Sequence, residues 1–112
     1  MIKARSVSAN KAYYGWFPAI ADMLAVTTKE ATRIVKLEFG VPILLADNYL
    51  GHLFGPGMER MGFFQMSEAQ QLIEMDRLPL TRVFTTAMHK QLRDNIQQHY
   101  GAMGLDLSYK GR

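Results

Sequence analysis

Thr85-Thr86-Ala87-Met88-His89-Lys90-Gln91-Leu92-Arg93-Asp94-Asn95-Ile96-Gln97-Gln98-His99-Tyr100-Gly101 carries the clearest periodicity in the chain. Met88, Leu92, Ile96 and Tyr100 recur at steps of four. That spacing places them on one side of an amphipathic helix. Thr85 or Thr86 supplies a side-chain oxygen for the first turn, and Gly101 marks the expected end.

Upstream, Tyr13, Trp16, Phe17, Ile20, Met23 and Leu24 follow the same three-and-four spacing. A first helix is expected there, capped by Ser8 or Asn10. Pro18 requires either a kink or a late start, because proline is tolerated only in the first turn. Thr27-Thr28-Lys29-Glu30 has the form of a capping box, with a threonine three residues before a glutamate. A second helix follows, and Gly40 and Pro42 are expected to stop it. Ile43 to Leu53 is apolar enough for a third helix, with Asp47, Asn48 and His52 on its polar side. Gly55-Pro56-Gly57 reads as a turn or loop. Ser67-Glu68-Ala69-Gln70 resembles a second capping box, opening a short helix towards Arg77.

Strand signals are shorter. Ile2 to Val7 alternates apolar with polar or small residues. Met58 to Met66 reads as strand or loop, Leu80 to Phe84 as strand or extended connector, and Leu105 and Leu107 alternate with Asp106 and Ser108. The expected fold class is therefore α+β: mostly helical, three to four helices, with short strands at the N-terminus, the middle and the C-terminus. Residues 1–112 are expected to form one domain, since a chain of 112 residues matches one hydrophobic core.

Composition narrows the chemistry. Hydrophobic residues make up 48% of the chain, the share of a folded protein. Thirteen Lys and Arg against ten Asp and Glu give a formal charge of +3, a mild lean towards polyanions. There are no cysteines, so disulfides and thiolate chemistry are excluded. No stretch approaches the ~20 apolar residues that span a bilayer. The start is too polar for a secretory signal. A cytoplasmic protein with no membrane partner is expected.

No catalytic signature is visible, and no enzyme activity, cofactor or metal is expected. Gly55-Pro56-Gly57 lacks the Lys-Ser/Thr that would hold phosphate. His89 and His99 are ten residues apart on one helix and cannot form a metal pair. Glu74 and Asp76 are close enough in sequence to suggest a magnesium-dependent nuclease, but residues two apart on a helix point in different directions.

Ligand-binding signals are concentrated at the N-terminus. Lys3, Arg5 and Lys11 lead into four aromatics, and the first acid is Asp22. Cations neutralise phosphates, and flat rings accept stacked bases. The regular spacing of Tyr13, Trp16 and Phe17 also suits core residues, whereas Tyr14 lies off that stripe. Lys29, Arg33 and Lys36 form an outer stripe on the second helix, either a solvated face or a phosphate-contacting ridge. The expected nucleic-acid-binding residues are Lys3, Arg5, Lys11, Tyr14, Trp16, Arg33 and Lys36. A separate surface is expected in the Met-rich middle, with Met58, Met61, Phe63 and Phe64 as anchors for a protein partner.

The segment Ser6-Val7-Ser8-Ala9-Asn10-Lys11-Ala12-Tyr13-Tyr14 resembles the Ser-x-x-Gln-Asn-Arg-x-Tyr-Trp opening of phage NinB-like recombination proteins. A capped second helix, a Thr-Thr cap before a last helix, and Gly104-Leu105-Asp106-Leu107 follow in the same order. Ala9 stands for Gln, Lys11 for Arg and Tyr13-Tyr14 for Tyr-Trp, with Trp16 two residues late. Residues 41–79 match no part of the family. The resemblance implies a small phage-encoded homodimer that binds single-stranded DNA and helps load a recombinase without catalysis. In it Asn10 is a helix cap, Lys11 a phosphate contact, and Tyr14 or Trp16 a stacking or core ring. The alternative is a small inhibitor or adaptor that binds a host protein, such as an antagonist of a host defence complex.

Overall fold

The computed structural model describes residues 12–107. The strand expected at Ile2 to Val7, the cap at Asn10, and the contacts expected of Lys3, Arg5 and Lys11 lie outside the described residues.

A 3-10 turn, Ala12–Trp16, leads into α1, Phe17–Leu24. Pro18 sits in the first turn of α1, where its missing N–H costs no hydrogen bond. The late start is thus the outcome, and the aromatic cluster straddles the junction. α2, Thr28–Val35, opens on the expected capping box. Glu30 N–H donates to Thr27 Oγ1 at 3.1 Å, and Thr27 N–H donates to Glu30 Oε1 at 2.9 Å.

Gly40 and Pro42 do not stop this helix. A π-helical turn, Lys36–Gly40, joins α2 to α3, Val41–Ala46, in one continuous run. Val41 N–H bonds back to Lys36 C=O, five residues away. Pro42 then falls in the first turn of α3. The wider register absorbs the residue that cannot donate. Gly40 has a packing role: a Cβ there would lie 2.5 Å from Leu80 Cδ2.

The helix expected over Ile43 to Leu53 is broken at Asp47. The carboxylate of Asp47 caps α4, Asn48–Arg60, accepting from Tyr49 N–H at 3.1 Å and Leu50 N–H at 2.8 Å. Gly51 lets α4 turn back tightly against α3, since a Cβ there would collide with the Leu45 carbonyl oxygen. Gly55-Pro56-Gly57 is helical, not a turn. Pro56 is exposed, and water can satisfy the carbonyl that it leaves without a donor.

A 3-10 turn at Phe63–Gln65 precedes α5, Glu68–Glu74, which Ser67 caps through Gln70 N–H at 3.2 Å. Another 3-10 turn, Thr81–Val83, precedes α6, Thr86–Ala102. Thr85 is the cap, accepting from Met88 N–H at 3.2 Å. Met88, Leu92, Ile96 and Tyr100 are all buried.

The α+β expectation is therefore corrected. Among the described residues there is no strand, and with α2 and α3 counted as one run there are five helices. Met58 is buried within α4, as is Leu50, Leu80 to Phe84 includes a 3-10 turn, and Leu105 to Leu107 is irregular. The alternation near the C-terminus reflects local tethering. Leu105 N–H donates to Tyr100 C=O at 3.0 Å, and Gln97 Nε2 donates to Leu107 C=O at 2.8 Å. One cluster of buried apolar side chains runs from Tyr13 to Leu107 and draws on every α-helix except α5. α5 has no buried residue of its own, and buried Met75 lies just past its end.

Two of the three α4 glycines, Gly51 and Gly57, should respond oppositely to alanine. Gly51→Ala forces a Cβ onto backbone and should cost roughly 1–3 kcal/mol, the range for overpacking. At Gly57 an added methyl would meet nothing within 4 Å. Gly57→Ala should therefore gain about 0.5–1 kcal/mol through helix propensity. Urea unfolding of both variants measures the pair; equal signs would contradict the α4 geometry.

Candidate interaction surfaces

The aromatic segment is committed to the core. Tyr13, Trp16 and Phe17 are buried. The Tyr13 hydroxyl shares a hydrogen bond of 2.9 Å with His89 Nδ1 on α6. Burial, reinforced by the neighbouring Tyr14, pushes the Tyr13 phenol far above its ordinary pKa, against the opposing pull of Arg93. Tyr14 is half-buried, its ring centroid 4.9 Å from that of Phe17, and its hydroxyl shares a 2.9 Å hydrogen bond with Thr81 Oγ1. Trp16 is thus buried and Tyr14 half-buried.

The basic stripe is also partly engaged. Arg33 forms a bidentate pair with Asp76 just past α5, Nε donating to Oδ1 at 3.1 Å and Nη2 to Oδ2. Lys29 Nζ lies 3.9 Å from the same carboxylate. Lys36 is half-buried and makes no ion pair among the described residues. Arg33 thus ties α2 to the end of α5, and the stripe is in part a structural seam.

Asp76 and Glu74 do not converge on a metal position. Glu74 pairs with Arg77 at 3.5 Å. No group of three or more His, Cys, Asp or Glu that could hold a metal ion occurs among the described residues. His89 is buried, and His52 and His99 are exposed. A hollow of about 360 Å³ lies between α2 and α5, floored by Val26, Ile34, Leu72 and Ile73. Its polar edge is already occupied within the chain: Glu30 by the capping box and Arg33 by Asp76.

The Met-rich middle divides. Met58 and Phe63 belong to the core, whereas Met61 is 44% and Phe64 45% exposed. The larger exposed apolar groups were not among the expected anchors. Tyr49 is 72% and Leu53 57% exposed, both on the outer face of α4. Pro56 and Arg60 continue that face, at steps of four, three and four from Tyr49. The spacing signal is present in the sequence, but it is visible only if α4 runs through Gly55-Pro56-Gly57.

Charge is distributed unevenly. All ten acids lie within residues 12–107, together with eight of the thirteen Lys and Arg. The described body is thus slightly acidic in formal charge. The remaining five cations, Lys3, Arg5, Lys11, Lys110 and Arg112, lie in flanking sequence that contains no acid.

No helix among the described residues is long and apolar enough to cross a membrane. No family model, curated protein or solved structure matches the chain.

The Arg33–Asp76 seam has a pH signature. The Arg33 guanidinium holds the Asp76 carboxyl below its ordinary value, and hydrogen bonds from Thr27 do the same for Glu30. Both carboxylates bind protons less tightly in the folded chain than in the unfolded one. Their stabilising effect is present above the unfolded carboxylate range near pH 4 and is lost as pH falls through the lower folded values. Asp76→Asn should lower stability at neutral pH and flatten its decline between about pH 5 and pH 2. Thermal melts across that range test this; an unchanged pH slope would contradict it.

Proposed function

We propose that this protein acts by binding another protein, docking through the outward face of α4. The observation that supports this reading is the exposure of Tyr49 and Leu53 side by side on one helix, with Met61 and Phe64 beyond its end. Apolar side chains scattered singly on a surface are ordinary, but a contiguous apolar patch favours a partner. Large exposed aromatics are also the residue type that dominates protein interfaces. This is the inhibitor or adaptor reading, with its anchors shifted from Met58 and Phe63 to Tyr49 and Leu53.

The experiment is capture from a nuclease-treated lysate of the cells that express the protein. Wild-type protein should retain a partner that Leu53→Glu and Tyr49→Ala release, with helicity by circular dichroism unchanged. Equal capture by wild type and Leu53→Glu would remove the α4 face from the reading.

A second reading, binding of single-stranded DNA, is favoured by the five cations and absent acids of the flanking sequence. In this reading the contacts come from Lys3, Arg5 and Lys11 more than from Arg33, whose guanidinium is taken by Asp76. Log affinity for labelled single strands should fall with log salt by roughly 0.7 per phosphate contacted. Changing Lys3, Arg5 and Lys11 together to Gln should flatten that slope by about 2 if each makes one contact. Unaltered binding and slope in the triple variant would exclude the N-terminal cations as the contact.

A further inference from the structure

We infer that the partner of the α4 face is a second copy of this chain, with the two α4 helices packed antiparallel. The inference rests on the docking reading above and names its occupant. Tyr49, Leu53, Pro56 and Arg60 are all exposed and follow one another at the spacing of a helix–helix seam. Their order is complementary to itself when reversed. A twofold axis passing between Leu53 and Pro56 sets Leu53 of each copy on Pro56 of the other. The same axis brings Arg60 of each copy to the ring of Tyr49 of the other.

Arg60 is exposed and makes no ion pair among the described residues. A guanidinium over an exposed phenol ring is attracted by the ring face. His52 and Glu59 lie on a common flank of the same exposed face, so the pairing also brings His52 of one copy towards Glu59 of the other. A parallel arrangement would instead set Arg60 against Arg60 and align the two helix dipoles, which is unfavourable on both counts. Charge and shape therefore select the antiparallel pairing.

Size sets the strength. α4 has 13 residues, which at the helical rise is about 20 Å of seam. A single seam of that length falls short of the ~800 Å² per partner of a standard stable interface. The association is therefore weak and reversible, with Kd on the order of 10–100 µM.

Sedimentation equilibrium of the full chain from about 1 to 500 µM brackets that range. The expected result is a monomer–dimer equilibrium that Leu53→Glu weakens at least tenfold. Orientation is read by disulfide trapping, because the chain contains no cysteine of its own. Mixing Tyr49→Cys with Arg60→Cys should trap a mixed pair, and Tyr49→Cys alone should trap little. Efficient trapping of Tyr49→Cys with itself would overturn the antiparallel arrangement. A wild-type protein that stays monomeric throughout would overturn self-pairing. In that case, lysate capture lost in Leu53→Glu would leave the docking reading standing with a different partner, and capture unaffected by Leu53→Glu would remove both.

Discussion

Burial of one side of α6 is the interaction on which the other helices are arranged. Met88, Leu92, Ile96 and Tyr100 are withdrawn from water, at a gain of about 1.5–3 kcal/mol for each large apolar side chain. α3 and the π-helical turn before it pack against this helix. The aromatic N-terminal segment is tied to it through the Tyr13–His89 hydrogen bond, 76 residues apart in sequence. That bond joins two groups that are buried and polar, so an unpaired alternative at either would carry a desolvation cost. It fixes where the aromatic segment enters the core, in which Tyr13, Trp16 and Phe17 are buried.

The second organising feature is the unbroken passage from α2 into α3. A helix carrying glycine and proline two residues apart would ordinarily end. Here the π turn shifts the hydrogen-bond register, Pro42 takes a first-turn position, and Gly40 admits Leu80 from the segment before α6. Arg33 on the same run holds Asp76 and closes α5 down on α2. A stripe of cations that looks like a phosphate ridge in one dimension thus joins two helices in three. On the outer side of α4 the apolar side chains of Tyr49 and Leu53 face water, and Arg60 makes no ion pair among the described residues.

The legible parts of the chain were those governed by local rules. The capping box at Thr27 and Glu30, the caps at Ser67 and Thr85, and the periodic faces of α1, α2 and α6 depend on neighbours within a few residues, and all are found. The strand expectations rested on alternation over four to six residues, a signal that a short apolar run shares with turns and helix edges. Leu105 to Leu107 is held by hydrogen bonds to α6, and Leu80 by its fit against Gly40, which alternation does not report. Met58 and Met61 differ by three positions and have opposite fates, because Met58 lies within α4 on its buried side and Met61 just past its end.

By itself the sequence determined the helical periodicities, the caps, the absence of thiol chemistry and the gathering of five cations, with no acid among them, in residues 1–11 and 108–112. Each follows from residue type or from spacing along one element. Only the tertiary structure decided that Gly55-Pro56-Gly57 lies within a helix, that Gly40 and Pro42 are passed through, and that Arg33 is held by Asp76 while Tyr49 and Leu53 face outward. The physical reason is common to all three. The cost of a proline or an unpaired charge in a helix depends on what stands opposite it, and that is set by packing between segments tens of residues apart.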